Sequence, residues 1–216
     1  MYQLSTLQTI VVAIIPVLFA ITLHEVAHGW TARHFGDRTA EMMGRLTVNP
    51  VKHIDPIGTI VVPGIMLVVG GFLFGWAKPV PIGVRNLRNP HRDMIFVAAA
   101  GPASNLLMAI FWAFVARFVA VLGLQGDTAL YFIAMAQIGV IINVVLCVFN
   151  LLPLPPLDGG RVLAGLLPPK QAVVFERIEP YGLVIIMALL FTGVLGSILG
   201  PLIGIVRGLV LSVAGF

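Results

Sequence analysis

The chain carries little charge. Asp, Glu, Lys and Arg make up only 10% of its 216 residues, against roughly 25% in a soluble domain, while 59% are hydrophobic. A chain this short cannot bury that much apolar surface in a core of its own, which excludes an ordinary water-soluble fold. Cysteine occurs once, as Cys147 in an apolar run, so no intrachain disulfide can form. No Ser-rich or acidic linker, low-complexity tract or clear repeat divides the sequence. The opening residues lack the basic n-region of a signal peptide. The net charge of +4 needs no acidic partner, because membrane proteins collect Lys and Arg in their cytoplasmic loops. Without a basic stripe and aromatic platforms, no nucleic acid is expected as a partner.

Uncharged apolar length is abundant. Stretches 7–23, 56–77, 94–116, 128–157 and 180–206 are each long enough for a hydrocarbon core about 30 Å thick. The expected fold class is an all-α polytopic membrane protein, with about four spanning helices, a re-entrant segment and short interfacial β-strands. A single domain, 1–216, is expected, without a soluble appendage. Residues 7–35 read as the first helix, bent at Pro16. Residues 36–93 form an interfacial and re-entrant region: 36–56 with short strands, 57–76 broken by Pro63-Gly64 and Gly70-Gly71, and 77–93 a basic loop. Residues 94–118 and 129–152 read as core helices, and 153–160 as a Pro-rich loop. In 181–216 a helix over 181–199 is separated from an apolar tail by Gly200-Pro201.

Residues 24–28 read His24-Glu25-Val26-Ala27-His28. On a helix, residues four apart lie about 40° apart around the axis and roughly 6 Å along it. Both imidazoles therefore face one position, and Glu25, one step round, can handle a water held there. Zinc hydrolysis needs this arrangement: the metal lowers the pKa of water and a carboxylate takes the proton. The alternative is a polar cluster tying helices together without metal. In a membrane setting, such a costly group of ionisable residues favours the functional reading.

Catalytic zinc commonly has three protein ligands. Of Asp37, Glu41, Asp55, Asp93, Asp127, Glu176 and Glu179, most sit among Lys and Arg in loops and read as solvated. Asp158 differs, because it follows a run rich in proline and precedes Gly159-Gly160. Irregular backbone at membrane depth is tolerated where it lines a cavity, and an acid there is a functional candidate; a helix cap is the competing role. His34, His53 and His91 lie in charged loops and read as surface histidines.

The pair formed by His24-Glu25-Val26-Ala27-His28 and Asn150-Leu151-Leu152-Pro153-Leu154-Pro155-Pro156-Leu157-Asp158-Gly159-Gly160 resembles the site-2 intramembrane metalloproteases. Gly101-Pro102-Ala103-Ser104-Asn105 matches a further element of that family. Gly44–Pro50 and His53–Pro56 resemble a compact bacterial or archaeal branch without PDZ or CBS domains. The resemblance implies an intramembrane zinc metalloendopeptidase with one zinc ion per chain, held by His24, His28 and Asp158. It implies Glu25 as general base, Asn150 as the group holding the substrate carbonyl or its oxyanion, and Asn105 as a tie between helices. The implied partners are the lipid bilayer and a membrane-protein substrate with a transmembrane helix; a homodimer stays open. A prenyl-protein endopeptidase would share only the first motif. A membrane zinc transporter is the alternative from another class, and it would need a second polar step along its path.

For His24, His28 and Asp158 to share one metal, helices 7–35 and 129–152 must run parallel, with 94–118 as the return. Residues 57–76 must then enter and leave on one side. That arrangement puts Arg33, Arg38, Arg45, Lys52, Lys78, Arg85, Arg88, Arg92, Arg161, Lys170 and Arg177 on one side, with Arg117 and Arg207 opposite. The positive-inside bias then places the N-terminus outside and the metal site nearer the cytosolic face, and the resemblance to a bacterial or archaeal branch implies a prokaryotic cell membrane.

Overall fold

A computed structural model describes residues 4–61, 65 and 77–216. Helix α1 spans Thr6–His34 and opens on a capping box, with Ser5 Oγ accepting the Gln8 N–H and Gln8 Oε1 accepting the Ser5 N–H. It ends where Gly36 adopts φ +111°, with the Asp37 N–H on Ala32 O and the Gly36 N–H on Arg33 O, the bonding of a Schellman terminus. A single turn, α2, covers Thr39–Met42.

Beyond a segment of short turns, α3 spans Pro90–Val121 and α4 spans Gly126–Asn150. Helix α3 starts four residues before the stretch read as helical. The pattern Asn89-Pro90 supplies a start, and Asp93 Oδ2 accepts the Asn89 N–H at 2.8 Å, which overrides the local charge. Proline crowding stops α4. Helix α5 covers Asp158–Leu166, α6 Pro169–Glu176, α7 Glu179–Phe191 and α8 Val194–Val213. Among the described residues, four helices are long and apolar enough to cross a membrane: α1, α3, α4 and α8.

The all-α expectation stands, but the short interfacial strands do not: no β-strand occurs among the described residues. Residues 36–61 instead hold α2, a 3-10 turn at Pro50–His53 and a π turn at Pro56–Val61. Here polar side chains satisfy the backbone locally. Thr47 Oγ1 accepts the Asn49 N–H, Asn49 Oδ1 accepts the Val51 N–H, and Asp55 Oδ1 accepts the N–H groups of Ile57 and Gly58. Such bonds compete directly with a strand ladder. The segment 57–76 read as re-entrant falls largely outside the described residues.

The C-terminal break also lies elsewhere than expected. Gly193, at φ +76°, separates α7 from α8, while Gly200 and Pro201 lie inside α8. A left-handed residue ends a helix. A proline removes only one N–H from it, and a spanning helix keeps the remaining bonds because lipid offers no others.

Named contacts fix the topology. Gln8 Nε2 donates to Tyr131 Oη at 2.8 Å, joining the starts of α1 and α4; their other ends meet at His24, His28 and Asp158. The two helices are therefore parallel. Helix α3 runs against both, with Asn105 beside Ala20 and Asn143, and Val97 beside His28. The Arg88 N–H bonds Phe35 O at 3.0 Å, so the chain between α1 and α3 leaves and returns at one end of the bundle. At the opposite end, the Arg117 guanidinium lies 6.0 Å from the Phe216 ring centre. Within lipid, close packing and hydrogen bonds rather than water exclusion hold helices together. Gly139 accordingly lets α4 approach the Trp112 indole of α3 without a Cβ between them.

Candidate metal centre

The helical spacing of His24 and His28 brings their Nε2 atoms within 3.1 Å of each other, ring planes near perpendicular at 88°. The loop after α4 brings in the third group. Pro153, Pro155 and Pro156 turn the chain back, and Gly159 and Gly160 allow it to close on itself. A Cβ on Gly160 would lie 2.5 Å from Pro155 N, and one on Gly159 would collide with Leu151 O. Asp158, the first residue of α5, thereby places Oδ2 3.2 Å from His24 Nε2 and 3.3 Å from His28 Nε2. All three residues are buried.

The protons on this triangle can be assigned. His24 Nδ1 faces Asn105 Oδ1 at 2.6 Å, and His28 Nδ1 faces Val97 O at 2.7 Å. Both partners are acceptors, so each ring carries its proton on Nδ1 and turns the Nε2 lone pair inward. Asp158 Oδ2 is buried without a hydrogen-bond donor. With both rings neutral, three lone pairs converge, which is repulsive unless a cation lies between. Zinc bonds of roughly 2.0–2.2 Å in a tetrahedron would put donors about 3.3–3.6 Å apart, close to the observed edges. Two imidazoles and a carboxylate are a zinc donor set, so the residues fit the ion. Among the described residues, this is the one group of three such side chains able to hold a metal.

Small size beside the rings is part of the design. A Cβ on Gly101 of α3 would come within 2.6 Å of His24 Cε1 and collide with the His28 ring. The glycine lets α3 lie against both histidines, so the Val97 and Asn105 oxygens reach their Nδ1 atoms.

Glu25 is partly buried, and its Oε2 accepts the backbone N–H of Val80 at 2.7 Å. Val80 belongs to an extended strap held by groups from the turn region. Arg45 Nη2 donates to Lys78 O at 2.8 Å and Pro79 O at 3.4 Å, and the Lys78 N–H bonds His53 O at 2.9 Å. His53 is therefore buried, not a surface histidine, with Nε2 on Thr47 O. Asp37 and Asp93 are likewise buried and bonded rather than solvated. Asn150 ends α4 and gives an amide proton to Leu146 O at 3.0 Å. Its carbonyl oxygen and second amide proton remain for another partner, and it is not among the converging donors.

Sequence reasoning missed the Val80 amide, Arg45 and the buried Asn143. A backbone N–H has no sequence signature. Asn143 had one: a polar side chain inside a largely apolar spanning helix.

Comparison with known proteins gives a consistent set of relatives. Residues 119–193 match the model of "Peptidase family M50". The chain is 38% identical over 213 residues to "Putative zinc metalloprotease YwhC" of Bacillus subtilis, covering 97% of this chain and 92% of that protein. It is 32% identical over 183 residues to a Mycolicibacterium smegmatis protein named "Putative zinc metalloprotease Rip2", covering 81% of this chain and 64% of that one. A Mycobacterium tuberculosis protein of the same name is 28% identical over 177 residues, with 80% and 63% covered. No solved structure matches the chain.

Proposed function

The chain belongs to peptidase family M50, a family of zinc metalloproteases, and on that premise we propose that it cleaves transmembrane segments of other membrane proteins, with His24, His28 and Asp158 as metal ligands and Glu25 as general base. The zinc-protease assignment and the bundle of spanning helices set the reaction class. The observation carrying the residue roles is the convergence of His24 Nε2, His28 Nε2 and Asp158 Oδ2 at 3.1–3.3 Å.

Zinc, when bound, supplies a Lewis acid that acidifies water and polarises a carbonyl. Glu25 has one carboxylate oxygen on the Val80 N–H, which leaves the other for the reacting water. Glu25 takes a proton from that water as its oxygen attacks the scissile carbonyl carbon. The C–N bond then breaks, and Glu25 returns the proton to the leaving nitrogen. The free amide proton of Asn150 donates to the substrate oxygen as negative charge develops there. A helical substrate hides its carbonyls in internal bonds, so the scissile stretch must unwind before it reaches the site.

The substrate site faces the cytosolic half of the membrane in this reading. The segments carrying Arg33, Arg45, Arg88, Arg92 and Arg161 gather at the bundle end that holds the triad, and Arg117 lies at the other. The positive-inside bias supports that orientation. Reporters fused at residue 125 and residue 168 test it: activity at 125 from the outside and at 168 from the cytosol is expected, and the reverse pattern refutes it.

Cleavage of a panel of single-span substrates by purified protein, beside Glu25→Gln with bound metal measured in both, tests the function. Loss of cleavage in the variant with zinc still near one per chain is the expected result. If the native protein holds zinc and cuts nothing while zinc crosses liposomes containing it, the protein moves the metal instead.

A further inference from the structure

His24 can face a cation only in the tautomer with its proton on Nδ1, and Asn105 Oδ1 is the acceptor that selects this tautomer. An amide, however, can turn over and present its NH2 group instead. Turned over, Asn105 would donate to Nδ1, move the ring proton to Nε2, and aim an N–H at the position where the metal must sit. The amide orientation is therefore what keeps the ligand usable.

We propose that Asn143 fixes that orientation and is a positioning residue for the metal centre. Asn105 Nδ2 spends one proton on Ala20 O at 3.1 Å and the other on Asn143 Oδ1 at 3.0 Å. Turning Asn105 over would set its oxygen against both of these oxygens. Asn143 is oriented in turn, because its Nδ2 donates to Gly139 O at 2.8 Å within its own helix. Both asparagines are 0% exposed, so bulk water does not reach either amide. A relay thus runs from the α4 backbone through Asn143 and Asn105 to His24.

Interhelical glue is the simpler role for a buried membrane asparagine. Asn143 suits it poorly. Its donor is used within α4, and its single interhelical bond goes to the one residue that orients His24. Partners behind a metal ligand typically change affinity 10–100-fold when removed, whereas glue changes stability.

The test compares native protein with Asn143→Leu and Asn143→Asp. Leu removes the acceptor. In its neutral acid form Asp can accept from Asn105 and donate to Gly139 O, as the amide does. Zinc affinity is measured by chelator competition, and thermal unfolding is measured on the metal-free proteins. Asn143→Leu is expected to bind zinc about 10–100-fold more weakly with a metal-free midpoint close to native, and Asn143→Asp to recover the affinity. Native zinc affinity in the Leu variant overturns the proposal, as does an equal loss in both variants. If Asn143→Leu does not fold, nitrogen-15 histidine spectra of the metal-free native protein decide. His24 protonated on Nδ1 supports the relay, and protonation on Nε2 overturns it.

Discussion

The Glu25 carboxylate accepts the Val80 N–H at 2.7 Å, tying the residue beside the first metal-facing histidine to a strap more than fifty positions away. Arg45 and His53 hold the strap through the carbonyls of Lys78 and Pro79 and the Lys78 N–H. Removing the donor should therefore misplace the base without touching the metal. Val80→Pro, set between Pro79 and Pro81, deletes the N–H. Peptide cleavage should fall by up to about 100-fold while zinc content stays native. Unchanged turnover in the variant would show that the strap does not orient Glu25.

Gly101 makes a second prediction, with an unusual sign. In an exposed helix, Gly→Ala adds about 1 kcal/mol of helix stability. At Gly101 the new Cβ would meet the rings of His24 and His28, and neither ring can swing away without breaking its Nδ1 bond. Gly101→Ala should lower zinc affinity more than about tenfold, with helix content by circular dichroism preserved. Titration with a zinc-chelating dye checks both halves; native affinity would mean that α3 yields.

The contrast between these two sites shows which parts were legible in the sequence. His24, Glu25 and His28 lie within one helical turn, and Asp158 sits beside a Pro-Gly punctuation. Local rules therefore brought them forward as candidates, and helix length and the lack of charge marked α1, α3 and α4 as spans, while the fourth, α8, lies largely beyond the helix expected over 181–199. The strap contact has no local rule, because its donor is a backbone amide. The turn region around Thr47, Asn49 and Asp55 alternates enough to suggest strands, yet its side chains cap its own backbone. His53 and Asp37 looked like loop residues and are buried, since only tertiary packing reveals what covers a loop.

Removal and return of metal should be visible in stability as well as in activity. A ligand at about 100 times its dissociation constant stabilises the fold by about 2.7 kcal/mol. Zinc added to chelator-stripped protein should raise the unfolding midpoint. His24→Gln, which cannot reproduce the imidazole lone pair, should abolish that rise. A variant that still gained stability with zinc would place the binding elsewhere in the chain.

The acid limit of stability should trace in part to Asp37, which lies outside the spanning helices. Burial alone would raise its pKa. The Thr39 hydroxyl, the Asn86 amide and the backbone N–H groups of Thr39 and Gly83 all donate to the carboxylate and outweigh burial, so the pKa falls below its ordinary value. A carboxyl with a depressed folded-state pKa contributes stability that is complete above its unfolded pKa. That contribution is lost as pH falls through the lower, folded value. In Asp37→Asn the amide must set an NH2 group against one of these donors, which costs about 1–3 kcal/mol at neutral pH. The same variant has no carboxyl left to protonate, so its stability should fall less steeply on acidification than that of the native protein. Unfolding midpoints measured from neutral pH down into the carboxylate range check both effects. Parallel native and variant curves would show that Asp37 does not set the acid limb, whatever its role in holding Gly83 and Asn86 against the end of α1.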